Sequence, residues 1–67
     1  MMIDKNLLVA IIRDKGLKIG FISEKLGMSR RAWYDKIDGK TPFSQSEKDK
    51  MQEILNLSDE QMSKIFG

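Results

Sequence analysis

The stretch from Ile19 to Gly39, IGFISEKLGMSRRAWYDKIDG, constrains the fold of this chain more than any other part of the sequence. Two short helical patterns lie on either side of Gly27, a residue type that supplies the positive backbone dihedral of a sharp turn. Ser29 follows two residues later and has a side chain that caps helix starts. The sequence therefore predicts a helix over 19–26, a tight turn, and a second helix over 30–38.

The second of these helices has two chemically different faces. Trp33 and Ile37 are four residues apart and form an inner apolar face, so we expect the indole to lie in the core. Arg30, Arg31 and Tyr34 lie on another face of the same helix. One side is thus suited to packing, while the other presents polar side chains to the surroundings.

The remainder of the chain predicts three further helices around this pair. Asp4 caps a first helix that runs to about Lys15, and Gly16 follows its end. Two capping boxes, Ser44–Glu47 and Ser58–Gln61, start the fourth and fifth helices. No segment offers a partner strand to the β-branched residues of Leu7–Ile12, so we predict an all-α domain of five helices over 1–67. Within it, the helix over 19–26 is expected to bury Phe21, Ile22 and Leu26, whereas Lys25 and Lys36 are expected to face only solvent.

Composition limits the chemistry that the chain supports. The 67 residues include no cysteine and no histidine, so disulfides, thiolate metal sites and imidazole catalysis are excluded. The serines and aspartates near the turn lack an adjacent base or a metal-ligand set. We therefore expect no enzyme activity, no cofactor and no small-molecule substrate.

Positive charge is concentrated on the central segment. The whole chain has a net charge of only +2, but residues 13–40 hold eight basic and four acidic side chains, and the rest holds four lysines and six acids. A local basic excess is a typical feature of nucleic-acid binding. No apolar stretch is long enough for a membrane span, and no secretory leader is apparent, so a cytoplasmic location is expected.

The segment Leu17–Gly39 resembles the helix-turn-helix of the phage Cro and repressor family, the XRE or lambda-repressor-like class. The matching pieces are Leu17, Ile22-Ser23, Leu26-Gly27-Met28-Ser29-Arg30, Trp33 and Ile37-Asp38-Gly39. The segments Phe43–Glu47 and Ile54–Ser58 are similar to the fourth and fifth helices of small phage and prophage members. The resemblance implies a compact five-helix lambda-repressor-like domain with the motif at helices two and three.

The same resemblance implies the residues of a DNA site. Its major-groove face would be formed by Ser29, Arg30, Arg31, Tyr34 and Asp35. Lys18, Lys40 and Thr41 would contact the DNA backbone. Asp35 has a second interpretation, a salt bridge to Arg31 four residues earlier. Ile19 stands where many family members have a glutamine that touches a phosphate, and an isoleucine cannot make that contact.

The resulting hypothesis is a sequence-specific double-stranded DNA-binding regulator of transcription, a Cro-like or small repressor protein of a phage or integrated element. Two copies on a pseudo-palindromic operator would place their recognition helices about 34 Å apart. We expect weak self-association, or dimers only on DNA, with Met62, Ile65 and Phe66 either covering the core or forming the dimer seam. The alternative is a protein-interaction module, such as an antitoxin or anti-repressor, built on the same fold.

Overall fold

The computed structural model describes residues 3–67, so the first two residues of the predicted domain lie outside the described part. Five helices and no strand occur in this range: α1 (Lys5–Asp14), α2 (Ile19–Lys25), α3 (Arg30–Ile37), α4 (Gln45–Leu55) and α5 (Asp59–Phe66). The prediction of an all-α fold with five helices is confirmed, and each predicted helix boundary lies within about two residues of the observed one.

Side-chain caps fix most of the helix starts. The carboxylate of Asp4 accepts a hydrogen bond from the Leu7 amide, and Ser29 Oγ accepts one from the Ala32 amide at 3.1 Å. Both predicted capping boxes are complete, one at Ser44 and the other at Ser58. Lys18, before α2, makes no side-chain cap. The formation of α2 therefore depends on packing against its neighbours more than on its own ends.

A left-handed glycine separates α2 from α3. Gly27 has φ of +73°, and no atom outside its chain neighbours lies within 4 Å of the position that a Cβ atom would take. The Met28 amide donates to the Ser23 carbonyl at 2.9 Å, which closes the end of α2. The turn is therefore determined by the backbone conformation of Gly27 rather than by crowding around it.

The core is formed by the inner faces of all five helices together with Phe43. Trp33 is fully buried in it, and its ring meets Phe43 edge-on with centroids 5.8 Å apart. Phe43 in turn meets Phe66 edge-on at 5.6 Å. These contacts join α3, the segment before α4, and α5. Burial of Trp33 costs desolvation free energy, because its Nε1 has no hydrogen-bond partner among residues 3–67. Burial of the large aromatic ring offsets this cost.

The fifth helix covers the core beside the start of α1. The Asp4 amide donates to the Ile65 carbonyl at 2.8 Å, and the Ile65 side chain is fully buried. Ile65 was expected to cover the core or to line a dimer seam, and its full burial corresponds to the first of these roles. Met62 and Phe66 are partly buried and pack against the core cluster.

Lys36 joins α3 to α4, which contradicts the expectation that it faces only solvent. Its Nζ donates to Glu47 Oε1 at 3.1 Å and to the Pro42 carbonyl at 3.0 Å, and 18% of its side chain is exposed. Burial acts to raise the pKa of Glu47, but hydrogen bonds from Ser44 and the Lys36 ammonium outweigh it and hold the pKa below its ordinary value of 4.5. The capping box of α4 and this ion pair therefore share one carboxylate.

Replacement of that carboxylate by a neutral amide gives a pH-dependent stability effect. We expect Glu47→Gln to lower the free energy of unfolding by about 1 kcal/mol at neutral pH, because the amide can still accept from the Ser44 amide but loses the ion pair. A depressed folded pKa stabilises the fold above the unfolded value, and this stabilisation is lost as the pH falls through the folded value. Urea unfolding of both proteins should therefore give converging stabilities below pH 4.5.

Glu60→Gln is the matched control for this substitution. Glu60 pairs with Lys64 at 3.3 Å, but both side chains are more than 60% exposed, so we expect a change of only a few tenths of a kcal/mol. Equal effects of the two substitutions, or a Glu47→Gln effect that does not depend on pH, would contradict the assignment.

The turn at Gly27 gives a second stability prediction. Gly27→Ala should lower the free energy of unfolding by about 1–2 kcal/mol, because a Cβ atom is disfavoured at positive φ even where space is free. Gly27→Asn should cost less, since asparagine tolerates the left-handed region. Chemical denaturation of the three proteins measures both effects, and equal stabilities for the alanine and asparagine variants would show that backbone conformation is not the cause.

Candidate nucleic-acid interface

The two faces of α3 have opposite environments, as the sequence predicts. Trp33 is fully buried and Ile37 is 3% exposed, whereas Tyr34 is 48% exposed. Arg30 and Arg31 are exposed at the start of the helix. Packing of the Trp33 face fixes the rotation of α3 about its axis. The arginines and the tyrosine are therefore displayed as a consequence of the core.

Ser29 and Arg30 have structural contacts in addition to the predicted ones. Ser29 Oγ accepts from the Ala32 amide, and its hydroxyl proton remains available for donation. The Arg30 side chain lies against the backbone of Gly20 in α2. A Cβ atom at position 20 would be 2.6 Å from Arg30 Nη2. The end of the Arg30 side chain thus lies beside α2, and neither Arg30 nor Arg31 forms an ion pair in the described part of the chain.

Asp35 pairs with a residue other than the one expected. Its Oδ1 lies 4.0 Å from Lys40 Nζ, and its carbonyl accepts from the Lys40 amide at 2.9 Å. No pair forms between Asp35 and Arg31, so that alternative is wrong. Lys40 and Thr41 are both exposed just after α3, with 71% of the Lys40 side chain accessible. The structure therefore brings together Asp35, a predicted base contact, and Lys40, a predicted backbone contact.

Phe21 departs from its predicted burial. It is 44% exposed, and Lys25 Nζ lies 5.5 Å from the centroid of its ring. The core face of α2 is instead formed by Ile22, Ser23 and Leu26, and Phe21 lies about 100° around the helix from Ile22. Phe21 and Ile22 are adjacent apolar residues in a short helix, and the sequence pattern does not indicate which of them faces the core.

An open groove runs between the first turn of α2 and the start of α3. Lys18, Gly20, Ser29 and Arg30 line it, together with Phe21, Ser23, Glu24 and Met28. Sequence patterns indicated Lys18, Ser29 and Arg30 as site residues but assigned Gly20 no role in the site. The adjoining backbone of Gly20 is visible as part of the site only in three dimensions.

The basic excess of the central segment persists in the folded protein. Three ion pairs involve residues 13–40, and they engage two basic and two acidic side chains of the segment. In one of them, the Lys5 ammonium bonds to Asp38 Oδ1 at 2.6 Å and holds the pKa of that carboxyl below its ordinary value of 3.8. The ion pairs thus engage as many basic as acidic side chains of residues 13–40, and the net positive charge of this segment is unchanged.

Two other kinds of feature do not occur in residues 3–67. No cluster of three or more acidic side chains there is placed to hold a metal ion. No helix of this region has the length and apolar character needed to cross a membrane.

Comparisons with protein-family models, with curated proteins and with solved structures each gave no match to this chain. The resemblance to phage Cro and repressor proteins therefore stays a prediction from the sequence, and a proposal for function depends on the geometry and charge described above.

Proposed function

We propose that this protein is a sequence-specific double-stranded DNA-binding regulator of transcription, of the Cro-like or small-repressor kind found in phages and integrated elements. In this proposal α2, the Gly27 turn and α3 are a helix-turn-helix, with α3 as the recognition helix. The observation that carries the proposal is the two-faced character of α3, which buries Trp33 and Ile37 and exposes Arg30, Arg31 and Tyr34.

The dimensions of α3 support insertion into the major groove. An α-helix with its side chains is about 10–12 Å across, which fits the major-groove width of about 12 Å. Arg31 offers a planar fork of donors that matches the O6 and N7 acceptors of guanine. Tyr34 can contact a thymine methyl group with its ring or a phosphate with its hydroxyl. Both side chains are exposed without an ion-pair partner in residues 3–67.

Exposed residues before α2 and after α3 are suited to contact the DNA backbone. Lys18 is exposed immediately before α2, and Lys40 and Thr41 are exposed immediately after α3. Contacts of this kind fix the register of the protein on the duplex without reading its sequence. Each neutralised phosphate also makes affinity more dependent on salt. Steep salt dependence is therefore part of the proposal.

The proposal includes two copies on a pseudo-palindromic operator, with weak self-association in the absence of DNA. Burial of Ile65 leaves Met62 and Phe66 as the predicted seam residues that retain accessible surface. Phe66 already packs edge-on against Phe43. Because Met62 and Phe66 are both partly buried, α5 offers little apolar surface for self-association. This favours a dimer that forms only when both copies bind DNA.

Exposure of Phe21 favours one alternative, a protein-interaction module such as an antitoxin or anti-repressor. Aromatic side chains are enriched at protein interfaces, and Phe21 is 44% exposed. The Lys25 ammonium lies over the Phe21 ring, and this contact within the chain stabilises part of the exposed ring without a partner protein. Affinity for DNA that falls steeply with salt would favour the DNA-binding function over this alternative.

Selection from a random DNA pool followed by fluorescence anisotropy tests the proposed function. We expect enrichment of a pseudo-palindromic sequence, and we expect Arg31→Ala to weaken binding to it by about 5- to 150-fold, which corresponds to about 1–3 kcal/mol for one bidentate base contact. Preference at one base pair of each half-site should be relaxed in this variant.

Arg13→Ala is the matched control, because Arg13 is an exposed arginine of the same basic segment but lies at the end of α1. It should change affinity only slightly and leave sequence preference intact. Failure to enrich any sequence, or equal effects of the two arginine substitutions, would refute the proposal.

A further inference from the structure

We infer that Gly20 seats the guanidinium of Arg30 against α2, and that Arg30 held in this way contacts a DNA phosphate rather than a base edge. The inference rests on the proposed function and divides the work of the two adjacent arginines. Arg30 would position the protein on the duplex, and Arg31 with Tyr34 would read the sequence.

The seat is defined by three short distances. A Cβ atom at Gly20 would lie 2.6 Å from Arg30 Nη2, 3.2 Å from Nε and 3.3 Å from Cζ. The first distance is well inside van der Waals contact, so a side chain at position 20 would require the flexible end of Arg30 to move. The end of Arg30, the first residue of α3, thus lies over a position of α2 that carries no side chain.

Local helix stability does not account for a glycine at this position. Gly20 is the second residue of α2 and has no positive φ, so its backbone conformation does not require glycine, and alanine has the higher helix propensity. The helix has only 7 residues and no side-chain cap at its start, so it gains little stability from its own sequence. Accommodation of Arg30 is the role of Gly20 that the structure displays.

The position of the seat favours a phosphate as the partner of Arg30. In the proposed motif the first helix crosses the DNA backbone while the second enters the groove. A guanidinium held on α2 therefore lies on the side of the interface that faces the DNA backbone. There it lines the groove on the protein surface between α2 and α3, together with Lys18 and Ser29. Glu24 lines the same groove but forms no ion pair with Arg30 in residues 3–67, so the guanidinium donors stay available for the bidentate contact that phosphate accepts.

Arg31 provides an internal comparison. It is the next residue along α3 and is turned by about 100° around the helix axis, so it does not share the seat. It is also exposed, at the start of the same helix. The two arginines have the same charge and nearly the same position, and they differ in contact with α2. A difference between their variants therefore separates the two proposed roles, and variants of Gly20 test the seat.

The first experiment compares Arg30→Ala with Arg31→Ala on the selected operator and on scrambled DNA across a salt series. We expect Arg30→Ala to weaken binding to both DNAs by a similar factor and to reduce the slope of log affinity against log salt by about 1. Arg31→Ala should instead lower the ratio of specific to non-specific affinity. Relaxed specificity in Arg30→Ala, with an unchanged salt slope, would overturn the inference.

The second experiment tests the seat through Gly20→Ala. We expect the unfolding equilibrium constant to fall by about two- to five-fold, because alanine favours the helix and the flexible end of Arg30 moves aside. DNA affinity should nevertheless fall, to nearly the level of Arg30→Ala. A more stable protein that binds DNA less tightly cannot be explained by damage to the fold.

The double variant Gly20→Ala/Arg30→Ala completes the cycle. Gly20→Ala should have no further effect on DNA affinity when Arg30 is absent, and its stabilising effect on the free protein should then be larger. Additive losses of affinity would show that Gly20 and Arg30 act independently. Absence of selective binding by the unaltered protein would refute the proposed function itself, whereas selective binding with additive variants would refute only the seat.

Discussion

Burial of Trp33 is the interaction on which the rest of the structure depends. The ring is fully enclosed and meets Phe43 edge-on, and Phe43 meets Phe66 in the same manner, so one aromatic series joins α3 to α5. In a chain of 67 residues without cysteine or histidine, stability has to come from packing of this kind. The indole nitrogen is left without a partner among residues 3–67, which shows how far packing outweighs polar satisfaction at this position.

The same burial determines what the surface of α3 presents. A helix with Trp33 and Ile37 fixed in the core has no freedom to rotate, so Tyr34 and the two arginines are held outward. Lys36, on the same helix, is drawn to Glu47 and ties α3 to the capping box of α4. The proposed recognition surface is thus supported from behind by apolar contacts and from one end by an ion pair. Such support is what a DNA-reading helix needs, because base contacts require fixed geometry.

Under the proposed function, stability and DNA binding make different demands on α2. Its sequence includes a glycine, its start has no side-chain cap, and Phe21 is exposed on it. Each feature weakens a helix or leaves apolar surface in water. The inferred seat would give one of these features a purpose, since a residue unfavourable to the helix leaves space for the guanidinium of Arg30. Departures from local preference of this kind are expected at functional sites.

Local signals in the sequence determined the helices and their ends. Asp4, Ser29, Ser44 and Ser58 cap helices where the sequence predicts, because a cap depends on residues only three apart. The two faces of α3 follow from periodicity in the same way. Only the tertiary structure decided that Phe21 is exposed, that Ile65 is buried, that Asp35 pairs with Lys40, and that Arg30 rests on Gly20. These outcomes depend on how helices lie against one another, and residue spacing within a helix contains no information about its neighbours.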